Sequence, residues 1–338
     1  MTRQNEDRGS ATTPVLGSDF LAAKLGRLAA SVTEATDNNL APSTRGAYRS
    51  DWNDFELWAT AHGLDDLPTS PTTLAMYLAD LAGSGAAMNT VERRLAAIRR
   101  IHLDADLPDP TKTELVRSTL TGLRRTYGRP EAKSAAITTD ALRAMLAVAP
   151  PGLTGSRDRA LLLLGLAGAL RRSELVAVDV EHVRHVEEKG LLVTLARSKT
   201  DQGGEGQVVA IPRGEHVATC PVEAYDLWIQ QARIPSGAVF RSIDRHGTLG
   251  GRLGAGSVDR LVKAYAHRAG LDQTRPGEPP PLYSAHSLRA GLATAAAASG
   301  VEERVIQRQP RHKRVAVLRG YIRDGELFAD NAAGRIGL

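Results

Sequence analysis

The chain has 338 residues, 42% of them apolar and 24% charged. That is enough for two domains with a sizeable core, and it excludes a disordered or fibrous polypeptide. Aromatics make up 4%, so the core must rest on Leu, Ala, Val and Ile. The single cysteine, Cys220, rules out an intrachain disulfide and a cysteine-based zinc cluster, and fits a reducing compartment. The net charge of +5 is a modest basic excess, compatible with a nucleic-acid partner but not diagnostic of one.

Residues 1–18 are polar and predict a disordered N-terminus with no signal peptide. The longest apolar run, Ala160 to Leu170, is too short to span a bilayer and predicts a buried helix. From Asp19, Phe20, Leu21, Leu25, Leu28 and Val32 recur at helical spacing. A second helix, capped by Ser43 or Thr44, runs through Trp52, Phe55 and Trp58. A third begins with Ser70 as cap and Pro71 behind it. The fourth is apolar at Val91, Leu95, Ile98 and Ile101, with Arg93, Arg94, Arg99 and Arg100 on its other faces. A fifth covers Lys112–Tyr127, and the Gly- and Pro-bearing stretch 128–138 reads as a linker. The expected division is therefore 19–134, all helical, and 135–338. In the second part a helix spans about Thr139 to Val148, followed by the buried run, and then "GLLVTLARSKT" and "GQVVAIP" alternate as two strands. Further helices are expected near Val222–Ala232, Val258–Ala269, Ser287–Ala298, Glu302–Gln307 and Val315–Tyr321. The class is mainly α with a small β-sheet: a helical domain followed by an α+β domain.

Candidate chemistry sits in four separated stretches. The buried run ends in Arg171, Arg172 and Glu174. Arg171 and Glu174 are three apart, on one helix face, where an oriented guanidinium can grip a phosphate with two parallel hydrogen bonds. The competing reading is a structural ion pair at a helix end. His286 and Arg289 are likewise three apart at the start of an alanine-rich helix. Lys199 follows a strand beside a Gly-rich loop, where a lysine can donate a proton or simply be solvated. Last, "RHKRVAVLRGYIRDG" sets Tyr321 among arginines and a lysine, nine residues after His312. A phenol has an unperturbed pKa of about 10. Guanidiniums nearby lower it and would also hold an anionic ester against the oxygen. His182 and His185 lack a third metal ligand and read as surface histidines. Cys220 reads as a packing residue. No GxxxxGK[ST], HExxH or clustered carboxylate pattern supplies a nucleotide or metal site, so no cofactor and no metal are expected.

In order and spacing, "GALRRSEL", "RSKT", "AHSLRAG" and "RHKRVAVLRGYIR" together resemble the tyrosine recombinase, or phage integrase, family. The resemblance covers the second half and extends more loosely to the helical first half, similar to that family's core-binding domain. It implies a C-shaped DNA clamp and metal-free cutting and rejoining of duplex DNA through a 3′-phosphotyrosine link. By the same resemblance Arg171 and Arg289 clamp the scissile phosphate, and Glu174 supports the first arginine. Lys199 protonates the departing 5′ oxygen, His286 assists proton transfer, His312 hydrogen-bonds the phosphate and Tyr321 is the nucleophile. The family commonly has glycine before the second histidine, where this chain has Arg311. Candidate DNA contacts are Arg45, Arg93, Arg94, Arg99, Arg100, Arg124, Arg125, Lys133 and Arg197. For any one of them a solvated helix face is the alternative. Expected partners are double-stranded DNA with paired half-sites and further copies of the chain, two per site and four in the synapse. The tail with Leu327, Phe328 and Ile336 is expected to dock on its own or a neighbouring copy. The expected location is the bacterial cytoplasm, at the nucleoid. Two alternatives remain open: a DNA-binding protein of this fold with weak cleavage, and a type IB topoisomerase-like enzyme.

Overall fold

The computed structural model describes residues 23–31, 40–129, 134–195, 206–274 and 280–308. The chain divides into two compact units, Met1–Glu131 and Ala132–Leu338.

The first unit is helical. Residues 23–31 form α1, whose Leu25 and Leu28 are exposed, so the apolar spacing there marks no buried face among the described residues. The second helix, α2, spans Pro42–Ala61. It does not start at the predicted Ser43 or Thr44 cap. Proline, which has no N–H to satisfy and a φ already suited to a helix, occupies the first turn, and Ala41 precedes it without a side-chain cap. The third, α3, spans Pro71–Gly83 and is capped as expected: Ser70 Oγ accepts from Thr73 N at 3.0 Å. Helix α4 covers Met88–Asp104 and α5 covers Glu114–Tyr127. Phe55, Leu74, Tyr77, Leu78, Val91, Ile98 and Val116 form the core between them. Phe55 and Tyr77 meet edge-on at 4.9 Å.

His102 is fully buried in α4. Its Nδ1 lies 2.8 Å from the Ile98 carbonyl, and its Nε2 accepts from Thr69 N at 3.0 Å. The ring therefore joins the turn before α3 to α4. Replacing His102 by leucine leaves the Thr69 N–H buried without an acceptor and is expected to cost about 1–3 kcal/mol, measured by urea unfolding.

The second unit is built on α7, Leu153–Ala167, whose Ala160–Leu164 stretch is buried on every side. It packs against α9, Pro221–Ala232, and α11, Ala285–Ala298. Helix α6, Thr139–Ala147, is capped by Thr138. An antiparallel sheet runs in the order β1 (Val183–Val186), β2 (Gly190–Leu195), β3 (Gln207–Pro212). Leu191 pairs with Ile211 and Val193 with Val209, which puts these four side chains on the core face. A second hairpin, β4 (Arg241–Ile243) with β5 (Leu249–Arg252), precedes α10, Ala255–Arg268. The last described helix is α12, Glu303–Arg308. Among the described residues no helix is long and apolar enough to cross a membrane.

Candidate active site

The apolar run does not continue as one helix into its charged end. It stops at Ala167, with Gly168 as its C-cap, and Ala169 turns to φ +45°. A new short helix, α8, begins at Arg172 and runs to Ala177. Arg171 is its N-cap, so the Arg–Glu contact forms at a helix start and not along a continuous face. Arg171 N donates to Glu174 Oε2 at 2.9 Å and Arg171 Nη1 to Glu174 Oε1 at 2.5 Å. One carboxylate thus satisfies an open backbone donor and fixes the guanidinium. Glu174 is almost fully buried, whereas the Arg171 side chain keeps about a quarter of its surface open. An oriented, partly exposed cation above a buried carboxylate is suited to an anion arriving from solvent.

The second pair sits on the first turns of α11. Ser284 caps that helix: its Oγ accepts from His286 N at 3.1 Å, and its own N–H donates to Ser287 Oγ at 3.0 Å. His286 keeps part of its surface open to solvent while its ring sits against the site, and Arg289 is buried at 2% exposure. Arg289 Nη1 donates to the Ala169 carbonyl at 2.8 Å. That carbonyl belongs to the left-handed residue two positions before Arg171. A positive φ at a non-glycine residue costs about 1–2 kcal/mol. The buried, charge-assisted bond to Arg289 offsets it. Loss of surrounding water lowers the His286 pKa first of all, and the Arg289 and Arg171 guanidiniums lower it further. The imidazole is therefore neutral at neutral pH, with two fixed cations facing it. Arg171, Glu174, His286 and Arg289, from two distant stretches, come together.

Lys199 and Arg197 lie outside the described residues, between β2 and β3 in sequence. So do Lys133, Arg311, His312, Tyr321 and the tail with Leu327, Phe328 and Ile336. His182 Nδ1 accepts from Asp179 N at 3.2 Å, and His185 Nε2 lies 2.8 Å from Asp226 Oδ1. Cys220 is buried and accepts from Gly214 N. No group of metal-binding side chains occurs among the described residues.

In the first unit most of the candidate arginines are ion-paired. Arg93 meets Asp51 at 3.0 Å, Arg99 meets Asp109 at 3.0 Å, Arg100 meets Asp104 at 2.7 Å and Arg124 meets Glu92 at 2.8 Å. Arg94 is largely enclosed, held by both oxygens of Asp54 and by Tyr77 Oη, which makes it a tie between α2, α3 and α4. Arg45 and Arg125 are exposed, and Arg125 shares a shallow face of α5 with Arg117, Ser118 and Thr121.

Residues 135–326 match the model of the phage integrase family, and residues 35–103 match that of the phage integrase N-terminal SAM-like domain. The chain belongs to the phage integrase family. An integrase/recombinase XerD homolog of Selenomonas ruminantium is 37% identical to this integrase-family chain over 315 residues, covering 92% of it and 90% of the relative. Tyrosine recombinase XerC of Syntrophus aciditrophicus is 24% identical over 310 residues, covering 84% and 88%. Among solved structures, a lambda integrase dimer bound to a COC′ core site superposes with a TM-score of 0.60 at 16% identity, over 94% of this chain and 84% of that one. The post-cleavage complex of XerH recombinase on palindromic difH superposes with a TM-score of 0.56 at 16% identity, over 78% and 72%. This integrase is thus a tyrosine recombinase by family, and its fold is the mainly helical one with a small antiparallel sheet that the sequence predicts.

Three groups at the candidate site are not singled out from the sequence. The Ala169 carbonyl holds Arg289, and nothing in the sequence marks a left-handed alanine. Ser284 was open to recognition as a Ser-x-x-Ser start to α11. Asp259, on α10, accepts from Ala285 N at 3.0 Å from 26 residues away, a distance over which no local pattern operates.

Proposed function

We propose that this recombinase cuts and rejoins duplex DNA at specific sites through Tyr321, without a metal. The observation that supports it best is the meeting of Arg171, His286 and Arg289: Arg289 donates to the Ala169 carbonyl two residues before Arg171, and both guanidiniums act on the His286 imidazole. Two guanidiniums neutralise the non-bridging oxygens of one phosphate, and Glu174 keeps the first of them in place. The Tyr321 phenol gives its proton to neutral His286, and its oxygen attacks phosphorus. The bond from phosphorus to the 5′ oxygen breaks, Lys199 protonates that oxygen, and His312 hydrogen-bonds the phosphate. The ester energy stays in the protein–DNA link, and attack by another strand's 5′-hydroxyl reverses the step.

Basic residues of both units, among them Arg45, Arg93, Arg99, Arg100, Arg124, Arg125, Lys133 and Arg197, supply phosphate contacts along the duplex. Arg94 is left out because its guanidinium is spent inside the first unit. Two copies occupy one site and four form the synapse, at the nucleoid of a bacterial cell.

A duplex nicked so that cleavage releases a short fragment traps the covalent intermediate. The parent protein is expected to form a denaturant-resistant adduct and Tyr321→Phe to form none while still binding the duplex. Absence of adduct with the parent protein would leave a DNA-binding protein of this fold. With sulfur in place of the bridging 5′ oxygen, the leaving group needs no proton. Lys199→Ala is then expected to cleave at close to the parental rate, and continued inactivity on that substrate removes the lysine from the acid role.

A further inference from the structure

We propose that Asp259 is a positioning residue of the recombination site, holding the first turn of α11, which carries His286 and Arg289, to α10, the helix that also packs against α8. The inference rests on the strand-transfer reading above and adds a residue that touches neither phosphate nor nucleophile.

Asp259 lies in the N-terminal half of α10, a helix that packs against both α8 and α11. Its Oδ1 accepts from Ala285 N at 3.0 Å, and its Oδ2 meets Lys263 Nζ at 3.0 Å. The positive charge of Arg172, next to the first clamp arginine, favours the ionised carboxylate from a distance, without a direct ion pair. Burial pushes the Asp259 carboxyl up, but the Ala285 N–H, Lys263 and Arg172 outweigh it, and the net shift is downward. The group is therefore an anion throughout the neutral range.

The first three N–H groups of α11 are all engaged: Ala285 by Asp259, His286 by Ser284 Oγ and Ser287 by the Ser284 carbonyl. No first-turn backbone donor is left over for a phosphate. Affinity for the ester then falls to the side chains of Arg289 and His286, and their placement depends on where the first turn of α11 is held. Arg289 ties this helix to Ala169 through the guanidinium that must also face the phosphate. Asp259 supplies a second tie that substrate does not compete for. The segment after the linker adds a third contact on the same turn, with Ser134 Oγ 2.7 Å from Ser284 Oγ. That contact reaches only the cap, whereas Asp259 anchors the first turn of α11 to a helix that packs against α8 as well.

The test uses Asp259→Ala and Asp259→Asn in the full chain. Three quantities are followed: adduct formation on the nicked duplex, duplex affinity, and the ring titration of His286 by NMR of the free protein. Misplacing reacting groups by about 1 Å costs up to about 100-fold in rate. Asp259→Ala is therefore expected to slow adduct formation by about 10- to 100-fold at unchanged affinity. Its His286 titration is expected to move up towards the ordinary histidine value as the ring leaves the two guanidiniums. Asp259→Asn keeps an oxygen for the Ala285 N–H and loses the charge, so it should recover part of both quantities. It also carries the test should the alanine variant fail to fold. A folded Asp259→Ala protein in which His286 titrates as in the parent overturns the proposal, whatever its rate. If the parent forms no adduct, the strand-transfer reading fails, and the titration still decides whether Asp259 positions the helix.

Discussion

Arg289→Ala is expected to slow adduct formation by about 10²–10³-fold, equivalent to roughly 3–4 kcal/mol of transition-state stabilisation. Arg171→Ala is expected to fall in the same range, because each removes one donor from a charge that develops only as phosphorus is attacked. The two variants should differ in stability. Arg171 is partly open, and its loss takes the guanidinium from Glu174, a buried carboxylate that keeps the backbone N–H of residue 171 as a donor. Arg289 is buried, and its loss strands the Ala169 carbonyl at a left-handed residue. Arg289→Lys keeps a charge but not the planar fork, so it should recover little of the rate. Both alanine variants also remove a cation that lowers the His286 pKa, after burial the next largest influences on that ring. In the parent the imidazole is protonated below the ordinary histidine value of about 6.5, and the rate limb due to its protonation lies there. In either variant that limb should move to higher pH. Rates measured from pH 5 to 8 on the nicked duplex check both the size and the direction. A variant with a reduced rate and an unmoved limb would separate His286 from the proton transfer.

The parts of this molecule that were legible from sequence are those governed by local periodicity or by a residue type with one dominant use. Helix α3 announces itself through Ser70 and Pro71, and β2 and β3 through short runs rich in β-branched and aliphatic residues. The Arg171–Glu174 contact follows from spacing, yet its setting does not. Gly168 is a local stop signal at the helix break, but the left-handed Ala169 beyond it is held by Arg289 from α11, which no local pattern marks. Strand β1 is missed because Val183–Val186 places charged and aromatic-ring polar residues at its centre without alternation. Strands β4 and β5 are missed because they are three and four residues long, and β5 has two glycines at its centre. The arginines of α4 show the limit most clearly. The sequence places Arg93, Arg94, Arg99 and Arg100 off the apolar stripe, but Asp51, Asp54 and Asp109, which decide how many remain free for phosphate, come from other elements.

The second large effect comes from one methyl group. Glycine within a helix is normally worse than alanine by about 0.5–1 kcal/mol, because the unfolded chain gains more freedom from it. Gly122, in α5, follows that rule: a Cβ there would meet nothing within 4 Å. Gly122→Ala should accordingly stabilise the first unit by about that amount. Gly291, in α11, should reverse the sign. A Cβ on it would stand 2.3 Å from the carbonyl oxygen of Ile137, a backbone atom that no rotamer change can move away. The approach is close because the segment after the linker runs along α11, with Ile137 N donating to the Ser287 carbonyl at 3.1 Å and Ala135 N to the Leu282 carbonyl at 2.8 Å. Gly291→Ala must push that segment off the helix or push the helix off its seat. Forcing an extra methylene into a packed interior costs about 1–3 kcal/mol, so the net change should be destabilising despite the helix preference. The same displacement reaches Arg289 and His286, two and five residues earlier on the helix, so adduct formation should fall as well. Urea unfolding of the two variants beside the parent gives the signs. A stabilised Gly291→Ala protein with parental cleavage would mean that residues 135–137 do not hold the helix of the phosphate clamp.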